Sequence, residues 1–125
     1  LELLCNQYGH SRVIGYDLYN PTNHKCVVEG NILNLTQPIE SALVINDIGN
    51  FKLTPKAKIH AQEWAANNTV INGYVLGNTN NNNAGYNIEE YMSGKGFELI
   101  KLTDFVTQQI PQWALQSYIL YKRKI

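Results

Sequence analysis

Between Ala42 and Leu76 the sequence changes its period twice, and no other stretch limits the fold so strongly. Ala42-Leu43-Val44-Ile45-Asn46 is a continuous apolar run of the length expected for a buried strand. Thr54-Pro55 then supplies a helix start, with a hydroxyl N-cap and a proline at the first helical position. Ala57, Ala61, Trp64 and Ala65 recur on one face of that helix, which should end near Asn67-Asn68. Thr69 to Leu76 returns to strand composition. Strand, helix and strand in succession exclude a sandwich or a bundle and predict a mixed α/β or α+β layer, with 42–46 as a central strand.

The flanks extend this pattern. Leu1, Leu4 and Tyr8 stand at helical spacing, with Gly9 placed to end a short opening helix. Arg12 to Tyr19 and Lys25 to Ile32 are β-rich and separated by Asn20-Pro21-Thr22-Asn23, which reads as an antiparallel hairpin. Residues 34–41, broken by Pro38, read as a connection or at most one helical turn. Asn87 can cap a helix through Met92, which Gly94 and Gly96 would close before a strand over 97–102. Thr103-Asp104 opens another helix, stopped by Pro111. The Asn-rich stretch 78–86 reads as a mobile loop and 112–125 as an appended element, helix or strand.

At 125 residues the chain reads as one domain, cut from a longer protein since no initiator Met is present. The hydrophobic share of 44% and charged share of 16% exclude wholesale disorder. Ten Lys+Arg against ten Asp+Glu remove the global electrostatic case for nucleic acid, leaving Lys122-Arg123-Lys124 as the one dense basic cluster. No apolar run reaches the roughly 18 residues that span a bilayer, and the first residues lack the marks of a signal peptide, so a soluble cytoplasmic chain without a membrane partner is expected. Cys5 and Cys26 have no further Cys companions for a zinc set and read as two reduced, buried thiols. Two glycosylation-type matches, Asn34-Leu35-Thr36 and Asn67-Asn68-Thr69, arise by composition in a chain with 16 Asn.

Asp17 in an otherwise apolar strand and Glu29 after Val27-Val28 carry the most chemical information. On adjacent strands the two carboxylates can converge and hold a hard divalent cation through oxygen. The plainer reading is two solvent-facing strand residues. His10, after Tyr8-Gly9, is a candidate phosphate contact or acid/base group, or simply a turn residue, and His24 and His60 lack partners at metal spacing. No serine sits in a nucleophile elbow, and Gly73 to Asn78 misses both the dinucleotide and P-loop fingerprints. Trp64 reads as core. Trp113, Tyr118 and Tyr121 beside Lys122, Arg123 and Lys124 suit either a nucleic-acid backbone or a protein partner.

Taken in order, an opening helix with Glu2, then Tyr8-Gly9-His10, the strand bearing Asp17 and Val27-Val28-Glu29 resemble the start of a PD-(D/E)xK nuclease domain, the restriction endonuclease-like fold. Leu43 to Asn46 followed by Phe51-x-Leu53-Thr54-Pro55-x-Ala57, and later Gly96 to Ile100 with Asp104-Phe105, are similar to segments of Mrr-type members. The resemblance implies a mixed central sheet flanked by helices, with Asp17 and Glu29 as ligands of Mg²⁺ or Mn²⁺ and Glu2 as a helper. The family's lysine falls at Asn31, and strand alternation offers Lys25 as a replacement catalytic cation. The expected function is a metal-dependent DNA endonuclease or a nuclease-like DNA-binding module, with His10, Lys122, Arg123 and Lys124 on the nucleic acid. The alternative is a non-catalytic interaction domain on this or a Rossmann-like three-layer sheet, binding a protein partner or a second copy through its aromatic and basic surface.

Overall fold

The computed structural model describes residues 1–17, 20–36, 38–46, 54–78, 87–102 and 116–125. They fall into two compact units, Leu1–Thr36 and Gln37–Ile125.

The first unit opens with α1 (Glu2–Tyr8), which stops where Gly9 adopts φ +82° and donates its N–H to the Cys5 carbonyl at 2.8 Å. Two short strands follow, β1 (Gly15–Asp17) and β2 (Val27–Glu29), and then a 3₁₀ turn over Ile32–Asn34. The strands pair in parallel, not as the expected antiparallel hairpin. The turn residues explain the difference. Asn20 Oδ1 accepts the His24 N–H at 2.8 Å, and His24 Nδ1 accepts the Cys26 N–H at 3.1 Å. Asn23 takes φ 52° between them. These bonds coil the connection locally, so β2 runs in the direction of β1 instead of folding back along it. Cys5 and Cys26 form a disulfide with a Cα separation of 6.2 Å, which corrects the expectation of two reduced thiols. They are the only described side chains of this unit that are fully buried.

The second unit is a four-stranded mixed sheet in the order β3-β4-β6-β5, formed by β3 (Ser41–Asn46), β4 (Thr69–Asn78), β5 (Phe97–Ile100) and β6 (Tyr118–Arg123). The helix α2 (Pro55–Asn67) connects the parallel pair β3 and β4, while β6 pairs antiparallel with both β4 and β5. With α3 (Ile88–Gly94), the described chain has three α-helices and two sheets, the α+β class that residues 42–76 predict.

Strand β3 corrects one expectation. Among the described residues it ends the strand order, with Leu43 and Ile45 about half exposed at 49% and 48%, because only the alternate residues Val44 and Asn46 face inward. Asn46 Nδ2 donates to Gln62 Oε1 at 3.0 Å, and Gln62 Nε2 donates to the Met92 sulfur at 3.1 Å, so this buried polar pair is satisfied.

Helix α2 starts as its sequence dictates. Thr54 Oγ1 accepts the Ala57 N–H at 3.2 Å and Pro55 takes the first turn, while Ala57, Ala61, Ala65 and Ala66 are buried. Trp64 is half-buried and lies outside the fully buried set. Asn87 caps α3 by accepting the Glu90 N–H at 3.1 Å, and Ile88 and Met92 carry that helix into the core with Ala65, Ala66, Val75, Phe97 and Tyr121. Gly73 marks a close approach in β4, since a Cβ there would lie 2.8 Å from the Val70 carbonyl oxygen and 3.0 Å from that of Ala42.

The expected C-terminal element, 112–125, is in its described part β6, held inside the sheet between β4 and β5. Apart from Asn78, the expected loop 78–86 lies outside the described residues, as do the expected helix after Thr103 and Trp113. Among the described residues, no helix is long and apolar enough to cross a membrane.

Burial, and then the carboxylate of Glu89, push the Tyr121 hydroxyl up to about 12 from an ordinary 10. The folded state therefore holds this proton more tightly than the unfolded chain. Its contribution to stability is whole below pH 10 and drains away between pH 10 and 12. Denaturation midpoints measured across that window should fall for wild type and fall less for Tyr121→Phe. Equal slopes would mean that Tyr121 titrates as an ordinary tyrosine.

Candidate functional sites

The register of β1 and β2 sets Asp17 directly beside Glu29. Neighbouring strands lie about 4.8 Å apart and register partners project to the same side, so the two carboxylates share one exposed face. Like charges directly opposite each other on adjacent strands repel. A divalent cation between them reverses the sign of the interaction. Backbone bonds fix the geometry, with the Gly15 N–H on the Cys26 carbonyl at 2.6 Å and the Gly30 N–H on the Asp17 carbonyl at 2.8 Å.

The other residues named with this pair are placed differently. Lys25 is exposed but precedes β2, so strand alternation does not carry it to the side of Glu29 as expected. Asn31 Oδ1 accepts the Leu33 N–H at 3.0 Å and caps the 3₁₀ turn, a local task that a lysine could not perform. Glu2 is exposed in the first turn of α1, and His10 is exposed in the turn after Gly9.

The basic cluster is engaged within its own unit. Lys124 pairs with Glu98 at 3.1 Å, and Arg123 donates through Nη1 to the Thr69 carbonyl and through Nε to that of Ile125 at 2.9 Å. The Lys122 ammonium stands 5.6 Å from the centre of the Tyr74 ring. Tyr121 belongs to the core. Strand alternation sends Lys122 and Arg123 to opposite faces, which divides what the sequence presents as one aromatic and basic patch.

A third constellation was missed by reading the sequence. The sulfurs of Cys5 and Cys26 and a ring nitrogen of His24 all lie within 4.8 Å of one another. The signal was the spacing His24-x-Cys26, unremarkable until the fold brings Cys5 against it. On α3, Asn87, Glu90, Tyr91, Gly94 and Lys95 line a shallow open depression, with the Lys95 ammonium 5.8 Å from the Tyr91 ring centre. Burial, and secondarily Glu63, raise the Tyr91 hydroxyl above its ordinary range, so it stays protonated at neutral pH.

No protein-family model matches the chain, and comparison with curated proteins and with solved structures gives no match.

Proposed function

We propose that Asp17 and Glu29 hold a hard divalent cation, Mg²⁺ or Mn²⁺, and that the chain is a nuclease-like module binding DNA through that ion without cutting it. The observation that carries this reading is the register, which makes the two carboxylates immediate neighbours on an exposed face. Mg²⁺ is commonly held by one or two carboxylates, with water and substrate phosphate oxygens completing its octahedron. Cleavage also needs a cationic group beside the attacking water, and losing one such electrostatic contact costs ~10²-fold or more. Asn31 occupies that position and is committed to its turn, while Lys25 lies off the ladder. A cation on this face offers a route to phosphate that does not need the C-terminal tail. As for location, the disulfide favours an oxidising compartment over the cytoplasm.

Thermal melting with and without Mn²⁺ or Mg²⁺ tests this. At a cation concentration ten times its dissociation constant, the first unit should gain about 1.4 kcal/mol by linkage. Asp17→Asn and Glu29→Gln should abolish the gain. Fluorescence anisotropy with labelled DNA should show binding that EDTA removes and that Lys122→Ala leaves unchanged. Plasmid nicking by wild type but not by Asp17→Asn would contradict the non-cleaving part and restore the endonuclease.

A second reading rests on Leu43 and Ile45, half exposed on a strand that has one neighbour among the described residues. An edge of this kind, on a chain with no net charge to keep copies apart, favours pairing with a second copy. If cations leave the melting curve unmoved and the chain sediments as a dimer that Ile45→Lys makes monomeric, the function is that of an interaction module.

A further inference from the structure

The first unit is sewn together by a cross-link that has a histidine at its side. Below about 40 residues, a folded unit usually needs disulfides, a metal or a partner. Here, among the described residues of Leu1–Thr36, the cross-linked cysteines are the whole of the fully buried set, 1% and 3% exposed. Opening the disulfide leaves two thiols in a corner whose third wall is His24. The Nδ1 of that imidazole accepts the Cys26 N–H, so its lone pair faces Cys26, and zinc would take that lone pair in place of the N–H.

We propose that the reduced protein binds one Zn²⁺ through Cys5, Cys26 and His24, so that disulfide and zinc are alternative staples for the same unit. In tetrahedral zinc sites, Zn–S bonds of ~2.3 Å and Zn–N bonds of ~2.0 Å place neighbouring ligand atoms roughly 3.5–3.8 Å apart. The three ligand atoms already lie within 4.8 Å of one another, so small side-chain movements suffice once the S–S bond is broken. The chemistry balances. A dithiol reductant transfers two electrons and two protons, becoming a disulfide as Cys5 and Cys26 become thiols. Zn²⁺ then displaces those two protons and takes a lone pair from each thiolate and from the imidazole. Three protein ligands leave one tetrahedral position for water or an exogenous donor, on the half-buried His24 side.

The coupling to redox state is the functional content. In an oxidising compartment the unit is closed by sulfur alone, and in a reducing one it stays closed only while zinc is supplied. This inference does not depend on a cation at Asp17 and Glu29, because oxygen ligands give none of the optical features described next.

Co²⁺, a spectroscopic stand-in for Zn²⁺, tests the site in the full chain reduced with a phosphine. One equivalent should produce thiolate-to-metal charge-transfer absorption in the near ultraviolet and the intense visible bands of a tetrahedral centre. Zn²⁺ should bleach both. His24→Ala, which keeps the disulfide, should weaken Co²⁺ binding at least about tenfold in the reduced state. The oxidised wild type should give neither band. Absence of the charge-transfer band in reduced wild type would overturn the proposal, and so would equal affinity in His24→Ala.

Discussion

Reducing the Cys5–Cys26 disulfide in the presence of a chelator will unfold residues 1–36 and leave the four-stranded sheet standing. The chain-entropy cost released by opening a cross-link over a sequence separation of 21 is ~3 kcal/mol. Little else opposes it. Helix α1 has seven residues, well short of the roughly 12–15 at which isolated helices become even marginal, and the strands have three residues each. The second unit keeps its own core of Ala65, Ala66, Val75, Ile88, Met92, Phe97 and Tyr121. Amide spectra of the reduced, chelated protein should lose dispersion for residues 1–36 only, and Cys5→Ser should do the same without reductant. Retention of the native pattern in both preparations would show that the cross-link is dispensable.

Met92→Ala will cost the second unit about 2–5 kcal/mol, the range for deleting a buried side chain of this size. Met92 is fully buried on α3, packs in the core and accepts the Gln62 amide through its sulfur. Met92→Leu keeps nearly the same volume and should cost less than about 1.5 kcal/mol. The comparison separates packing from the sulfur contact, because leucine removes the acceptor and fills the space. Urea denaturation followed through the second unit's signals measures both. A loss for Met92→Ala no larger than that for Met92→Leu would mean that the site collapses around the vacancy.

The elements that were legible in the sequence are those whose causes are local. Thr54-Pro55 and Asn87 announce helix starts through their own side-chain chemistry, and Gly9 announces a helix end through its backbone freedom. What the sequence conceals is pairing. Asn20-Pro21-Thr22-Asn23 carries turn residues, yet whether a turn reverses the chain or coils it depends on where Asn20 and His24 find hydrogen-bond partners. The apolar run at 42–46 looks central because periodicity cannot tell a strand buried on two faces from an edge strand with one face on the core.

The same limit governs the candidate sites. Asp17 and Glu29 could be named from composition and order, but their adjacency comes from a parallel register in place of the expected antiparallel one. Lys122, Arg123 and Lys124 look like one patch in a linear sequence. As a strand end they divide between two faces and find Tyr74, Thr69 and Glu98. The Cys5, His24 and Cys26 corner was invisible for the opposite reason, because residues far apart in sequence are close in the fold.

The most direct test of the carboxylate pair is paramagnetic broadening by Mn²⁺ in the amide spectrum of the oxidised 125-residue chain. A cation held between Asp17 and Glu29 should broaden Tyr16, Asp17, Val28 and Glu29 at substoichiometric Mn²⁺, with Asp17→Asn removing the effect. Mn²⁺ that broadens exposed acidic positions throughout the chain alike, with no preference for β1 and β2, would contradict the site and the DNA-binding function built on it.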